Sequence, residues 1–122
     1  MKKSVESKLH KINEIKNEDF IKIVNLLKKI KNPILTYNKL MEISESSPQD
    51  IGIVFVCLHD VLHPFVFQHL PLYALHHNII LFAVPEGSKK LFETIFEHRY
   101  VPIVSILKRE MVFEEIKSII CQ

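Results

Sequence analysis

Apolar positions along the chain fall into two patterns. Phe20, Ile23, Val24 and Leu27 recur at the i, i+3, i+4, i+7 spacing of an amphipathic helix. Ile51–Leu58, Ile79–Val84 and Ile103–Leu107 are instead almost continuously apolar, which reads as strands buried on both faces, as parallel sheets require. The first helix takes Asn17 as its N-cap and holds Glu18 and Asp19 in its first turn. Lys28, Lys29 and Lys31 fall in its last turn, and Asn32-Pro33 stops it. A short strand over Ile34–Thr36 follows, then a short helix over Tyr37–Glu45 that ends at Ser46-Ser47-Pro48. Pro64–His77 reads as a helix interrupted at Pro71. Ser88–Glu97 reads as a helix with Leu91, Phe92, Ile95 and Phe96 on its apolar side. Glu110–Cys121 closes the chain as a helix with Val112, Ile116, Ile119 and Ile120 facing inward.

The order is α-β-α-β-α-β-α-β-α. Such alternation predicts an α/β fold, a single-domain three-layer α/β/α sandwich around a mostly parallel or mixed four-stranded sheet. Residues 1–16 carry only a loose helical spacing (Val5, Leu9, Ile12) in a polar background and read as a basic N-terminal extension. The domain proper is placed at 17–122.

Composition narrows the class. A chain of 122 residues with 48% hydrophobic residues and 8 Phe can bury a core of its own. Its apolar runs fall far short of the ~20 residues of a membrane-spanning helix. Met1-Lys2-Lys3 is followed by no apolar region of the kind a secretory signal needs. Two cysteines, one inside an apolar run, fit a reducing compartment better than a disulfide scaffold.

Charge changes the picture more. The net charge of +2 divides into +5 over residues 1–31 and −3 over residues 32–122. A basic end on an acidic body points to a polyanion partner, the alternative being a solvated Lys-rich surface.

Enzyme chemistry has little support. His59, Asp60 and His63 look at first like a metal or acid–base cluster. However, Pro64 puts the helix start at or after His63, so the two imidazoles do not share a helix face, and no third ligand stands at a recognisable spacing. Cys57 lies in a strand expected to be buried, and there is no nucleophile elbow. Pro85-Glu86-Gly87-Ser88-Lys89-Lys90 lacks the glycine and Lys-Ser/Thr order of a phosphate loop and reads as a turn with Ser88 as N-cap. No metal and no cofactor is expected.

Three stretches carry a spacing of another kind. Asp60 is followed, after eight residues, by His69-Leu70-Pro71, then a short helix, a turn at Asn78 and the strand Ile79–Val84. Thr36-Tyr37-Asn38-Lys39 opens a helix, with Glu45 later in it. Val84-Pro85-Glu86-Gly87-Ser88 precedes Leu91 and Arg99-Tyr100-Val101. Taken in order over residues 36–104, they resemble the kink-turn RNA-binding superfamily of small ribosomal and small-ribonucleoprotein proteins (the ribosomal L-seven-Ae type). The last stretch looks most like the Pop-three type protein subunit of ribonuclease P/MRP.

The resemblance implies a non-catalytic RNA-binding subunit of a ribonucleoprotein, ribonuclease P/MRP first, acting in tRNA and rRNA processing. The particle's RNA would supply catalysis. The partners implied are structured RNA (a kink-turn or a ribonuclease P/MRP RNA element) and other protein subunits, with no membrane. The place implied is the nucleus or nucleolus for ribonuclease P/MRP, and otherwise the cytoplasm. In the family, the start of the second helix enters the RNA groove and the loop before the last strand holds an extruded nucleotide. Those positions correspond to Thr36, Tyr37, Asn38 and Lys39, and to His98, Arg99, Tyr100 and Val101. Asp60 is counted with them, its alternative being a cap of the following helix. The residue types suit such contacts, with Asn38 for a base edge, Lys39 and Arg99 for phosphates, and Tyr37 and Tyr100 for stacking or for rim packing.

Three positions depart from the family: Thr36 stands for Gly, Lys39 for Glu, and Glu42 for Lys. Reversed charges at the base-reading helix favour ribonuclease P/MRP over a ribosomal or small-ribonucleoprotein kink-turn binder. They also leave a second reading, a protein-interaction module on the same fold.

Overall fold

A computed structural model of the protein describes residues 12–30 and 32–121. In chain order the elements are β1 (Asn13–Glu14), α1 (Asn17–Leu27), α2 (Tyr37–Ser46), β2 (Ile51–Val56), α3 (Leu70–His77), β3 (Ile80–Ala83), α4 (Ser88–Ile95), β4 (Ile103–Leu107) and α5 (Val112–Ile120). Single 3-10 turns occupy Pro48–Asp50 and Pro64–Phe67.

The fold is α/β, and its four strands form one mixed sheet in the order β1-β3-β2-β4. β3 runs parallel to β1 and β2, whereas β4 runs antiparallel to β2. β2 sits second from one edge with all six residues buried, as its unbroken apolar run predicts. Its side chains alternate between faces. Ile53 and Phe55 join one cluster, with Phe20, Ile23 and Leu27 of α1, Phe92 of α4 and Ile116 of α5. Val54 and Val56 join the other, with Leu40 of α2, Phe67, and Leu70 and Ala74 of α3. Phe20 meets Phe92 edge to face, 5.9 Å between ring centroids.

The ends of the elements differ from the sequence reading in informative ways. The expected strand Ile34–Thr36 shrinks to one antiparallel bridge, Ile34 to Ser105. Thr36 has extended backbone, but its side chain is drawn into the start of α2, which leaves Ile34 alone to pair. The fourth strand lies instead at Asn13–Glu14, inside the segment read as an extension. The Ile15 N–H continues it, donating to the Ala83 carbonyl at 3.0 Å, and the Ile15 side chain is buried. The first helix starts at Asn17 with Lys16, not Asn17, as its N-cap, and it ends at Leu27, before the lysines. The expected helix 64–77 breaks at Gln68-His69 rather than at Pro71. Pro71 occupies the first turn of α3, where a missing N–H costs nothing. Asn78 then closes α3 at φ 57°, the left-handed conformation that Asn tolerates. α4 stops at Ile95, because Glu97 turns the chain with φ 53°. Among the described residues no helix is long and apolar enough to cross a membrane.

Gly52 in β2 is a point of close approach. A Cβ there would lie 2.5 Å from the Phe113 Cε1 and 3.2 Å from the Ile106 carbonyl. Phe113 is itself buried among α1 and α5 side chains and has little room to move. Gly52→Ala is therefore expected to destabilise the domain by about 1–3 kcal/mol through overpacking, read as a lower urea midpoint at unchanged slope.

Candidate nucleic-acid interface

The start of α2 is fixed by a cap. The Thr36 Oγ1 accepts the Lys39 N–H at 3.1 Å, the usual work of a threonine at this position. Thr36 is thereby committed to the helix, while Asn38 and Lys39 are exposed beside it. The Lys39 Nζ lies 3.7 Å from the Glu42 Oε1, and both side chains are more than half exposed. In solvent such a pair is weak, so Lys39 stays available. Tyr37 is half-buried instead. Its hydroxyl hydrogen-bonds His69 Nε2 and its ring meets the imidazole edge-on, 5.6 Å between centroids. Burial pushes its phenol above the ordinary value. Tyr37 therefore ties α2 to α3 and offers one edge to solvent rather than a full face.

The loop before β4 is held from beneath by α4. The Glu93 backbone carbonyl accepts the His98 N–H at 3.0 Å, and its carboxylate accepts the Val101 N–H at 3.2 Å. The same carboxylate takes the Lys89 Nζ at 2.6 Å. Lys89 in turn stands 4.5 Å from the centroid of the Tyr100 ring. The bond from Lys89, helped by the Val101 amide, holds the Glu93 carboxyl below its ordinary range, and Glu93 holds Lys89 above its own. The loop thus presents His98, Arg99 and Tyr100 outward, with Tyr100 55% exposed. Val101 belongs to a different class. Its side chain is fully buried in the core and its carbonyl faces the Cys57 thiol at 3.5 Å. The resemblance placed Val101 at the surface contact, whereas here it anchors the loop.

Asp60 is also structural. Its two carboxylate oxygens each accept the Gly87 N–H at 2.9 Å, and one accepts the Lys89 N–H at 3.1 Å. It caps a helix, as its alternative reading held, but the helix is α4 rather than the next one in the chain. Ser88, read as the N-cap, is the first helical residue, and Gly87 holds the cap position at φ 94°. The Ser88 hydroxyl donates to the Pro85 carbonyl at 2.6 Å. His59 turns elsewhere, its Nε2 3.0 Å from Glu14 Oε1. His59 and Asp60 therefore do not share a ligand position. Among the described residues no group of three or more His, Cys, Asp or Glu could hold a metal ion. Burial, with Asp60 nearby, pushes the Cys57 thiol up to about 12, which leaves it protonated and inert at neutral pH.

The start of α2 and the loop before β4 meet at one concavity of about 760 Å³. Thr36, Lys39 and His98 line it together with Lys28, from the turn after α1, and Arg109, from the turn after β4. Ile34, Leu35, Ile43, Ile95 and Phe96 supply apolar lining, and among the described residues no carboxylate lines it. Tyr37, Asn38, Arg99 and Tyr100 do not line it. Lys28 stood in the sequence only as one of the lysines at the end of the first helix, and Arg109 was not singled out. Each stands just past the end of its element, the one signal that could have drawn notice. No known family model matches the chain, and no curated protein does.

Two variants test the scaffold of this interface. Asp60→Ala removes the α4 cap and is expected to cost about 1 kcal/mol in urea unfolding. Glu93→Gln keeps the shape of the tether and loses its charge. Because the Glu93 carboxyl is depressed in the folded state, its contribution is present above the ordinary value of 4.5 and is lost as pH falls through the folded-state value. The gap in unfolding midpoint between wild type and Glu93→Gln should be constant near neutral pH and close below about pH 4.5.

Proposed function

We propose that this protein is a non-catalytic RNA-binding subunit of a ribonucleoprotein, with ribonuclease P/MRP the particle its sequence resemblance favours. The observation that carries the reading is the convergence just described. Two segments far apart in sequence, the α2 start and the loop before β4, border one concavity whose described lining holds cations and no carboxylate. Around it stand exposed groups of the types that RNA contacts require: Asn38 for a base edge, Lys39 and Arg99 for phosphates, and the free face of Tyr100 for an unstacked base. Helices on both faces of the sheet are consistent with a three-layer sandwich. Asp60 and Val101 act in this reading as supports for the binding loop. The RNA of the particle would carry out processing of tRNA and rRNA precursors, and the nucleus or nucleolus would be the place of action.

A second reading, a protein-interaction module on this fold, is favoured by one feature. Leu62 is 88% and Phe65 69% exposed in the segment between β2 and α3.

Binding of the full chain to ribonuclease P RNA and to a kink-turn RNA over a salt series separates the two. RNA binding predicts that log K falls linearly with log salt. Arg99→Ala should weaken binding and reduce that slope by about 1, whereas Asn38→Ala should cost roughly tenfold or more at unchanged slope. Absence of any RNA complex at low salt removes the proposal and leaves the interaction module.

A further inference from the structure

The concavity has a second character that the RNA reading does not use. Apolar side chains of Ile34, Leu35, Ile43 and Ile95 line it, while Lys28, Lys39 and Arg109 enter from three separate elements. All three cations are exposed. Unstacked bases are held by flat aromatic faces. The lining offers only Phe96, which packs against Phe92 at 6.3 Å between centroids, and the His98 imidazole. Branched aliphatic side chains suit leucine and isoleucine instead, and the exposed cations, Lys39 with the Glu42 carboxylate 3.7 Å away included, suit aspartate and glutamate.

The backbone beside the lining adds no direction. Ile34 spends both of its backbone groups on Ser105, accepting at 2.8 Å and donating at 3.4 Å. In an extended chain the groups of the next residue point the opposite way. Among the described residues the Leu35 N–H and C=O have no backbone partner. Leu35 is nevertheless only 8% exposed and its side chain lies in the core cluster with α1, α4 and α5, so these groups open no edge to a partner strand. A docked segment is therefore held by side chains.

We infer that this groove is a docking site for an acidic segment of a protein partner that carries leucine or isoleucine among its acids. The acids meet Lys28, Lys39 and Arg109, and the aliphatic side chains cover the lining. The site shares Lys39 with the RNA contacts, but Asn38, Arg99 and Tyr100 do not line it.

The test uses the full chain labelled with nitrogen-15 and three synthetic eight-residue peptides: alternating Glu-Leu, alternating Lys-Leu, and alternating Glu-Ser. The Glu-Leu peptide should shift the amides of residues 32, 34–36, 43 and 107–109, with the other two at least tenfold weaker. Arg109→Glu and Lys28→Glu, both at exposed positions, should each weaken the Glu-Leu peptide about tenfold or more and leave the remaining amide spectrum that of the folded chain. Asn38→Ala should leave the peptide's affinity unchanged whether or not RNA binds, so failure of the RNA reading does not decide this one. Equal binding of the Lys-Leu peptide would overturn the inference. So would shifts centred on Leu62 and Phe65, or a single-stranded RNA oligonucleotide shifting the groove amides when the Glu-Leu peptide does not.

Discussion

β2 has no wet face, and most of the architecture answers to that. A strand buried on both sides needs apolar cover from both, so the chain must lay helices over each. α1, α4 and α5 cover Ile53 and Phe55, while α2 and α3 cover Val54 and Val56. The requirement also fixes where the connecting loops gather. β2 and β3 run parallel, with Val56 opposite Ala83, and β4 enters antiparallel with Ile103 opposite Val56. The segments after β2, after β3 and before β4 therefore emerge at one end of the sheet. Asp60, Gly87 to Lys89, and His98 to Val101 become neighbours by topology, before any side chain acts.

Side chains then lock that end. Asp60 takes amides at the start of α4, Lys89 on the same turn takes Glu93, and Glu93 takes the Val101 amide. Each link uses a charged group against a backbone N–H or an opposite charge, the stronger class of hydrogen bond. The chain runs from the loop after β2 to the loop before β4 without crossing the core. Its polar atoms sit at the rim, where water lowers both the cost of burying charge and the gain from pairing it. Such a chain positions a loop more than it stabilises a domain. Tyr100, with Lys89 beside its ring and more than half its surface free, is the residue that benefits.

The sequence made the buried strands plain and the short ones obscure, for one physical reason. β2, β3 and β4 are read from apolar runs because burial is what a run records. β1 is two exposed residues, Asn13 and Glu14, paired to β3 through the backbone and too short to make an apolar run of its own. Ile34–Thr36 has strand-forming residues, yet Thr36 serves a helix cap instead, and propensity yields to that local competition. At the site the same division holds. Tyr37 to Lys39 and His98 to Tyr100 stand at the positions the resemblance named. Asp60 looked like a contact because its real partners lie 27 and 29 residues further on, a separation no spacing rule covers. Val101 could have been placed in the core: Val101-Pro102-Ile103 simply continues the apolar run of β4.

Charge is the feature on which sequence and surface differ most. By sequence, a basic stretch over residues 1–31 precedes an acidic body. Yet the concavity draws Lys28 from the basic stretch and Lys39 and Arg109 from the acidic body, with no carboxylate among the described residues of its lining. At physiological salt a charge is felt over roughly 8 Å, so a partner responds to the cations around it and not to the sum over the chain. Two of the body's seven basic residues, Lys39 and Arg109, thus stand with Lys28 at one concavity, and this local group, set against aliphatic lining, is what a partner would meet. A body with a net charge of −3 can therefore hold a site selective for anions.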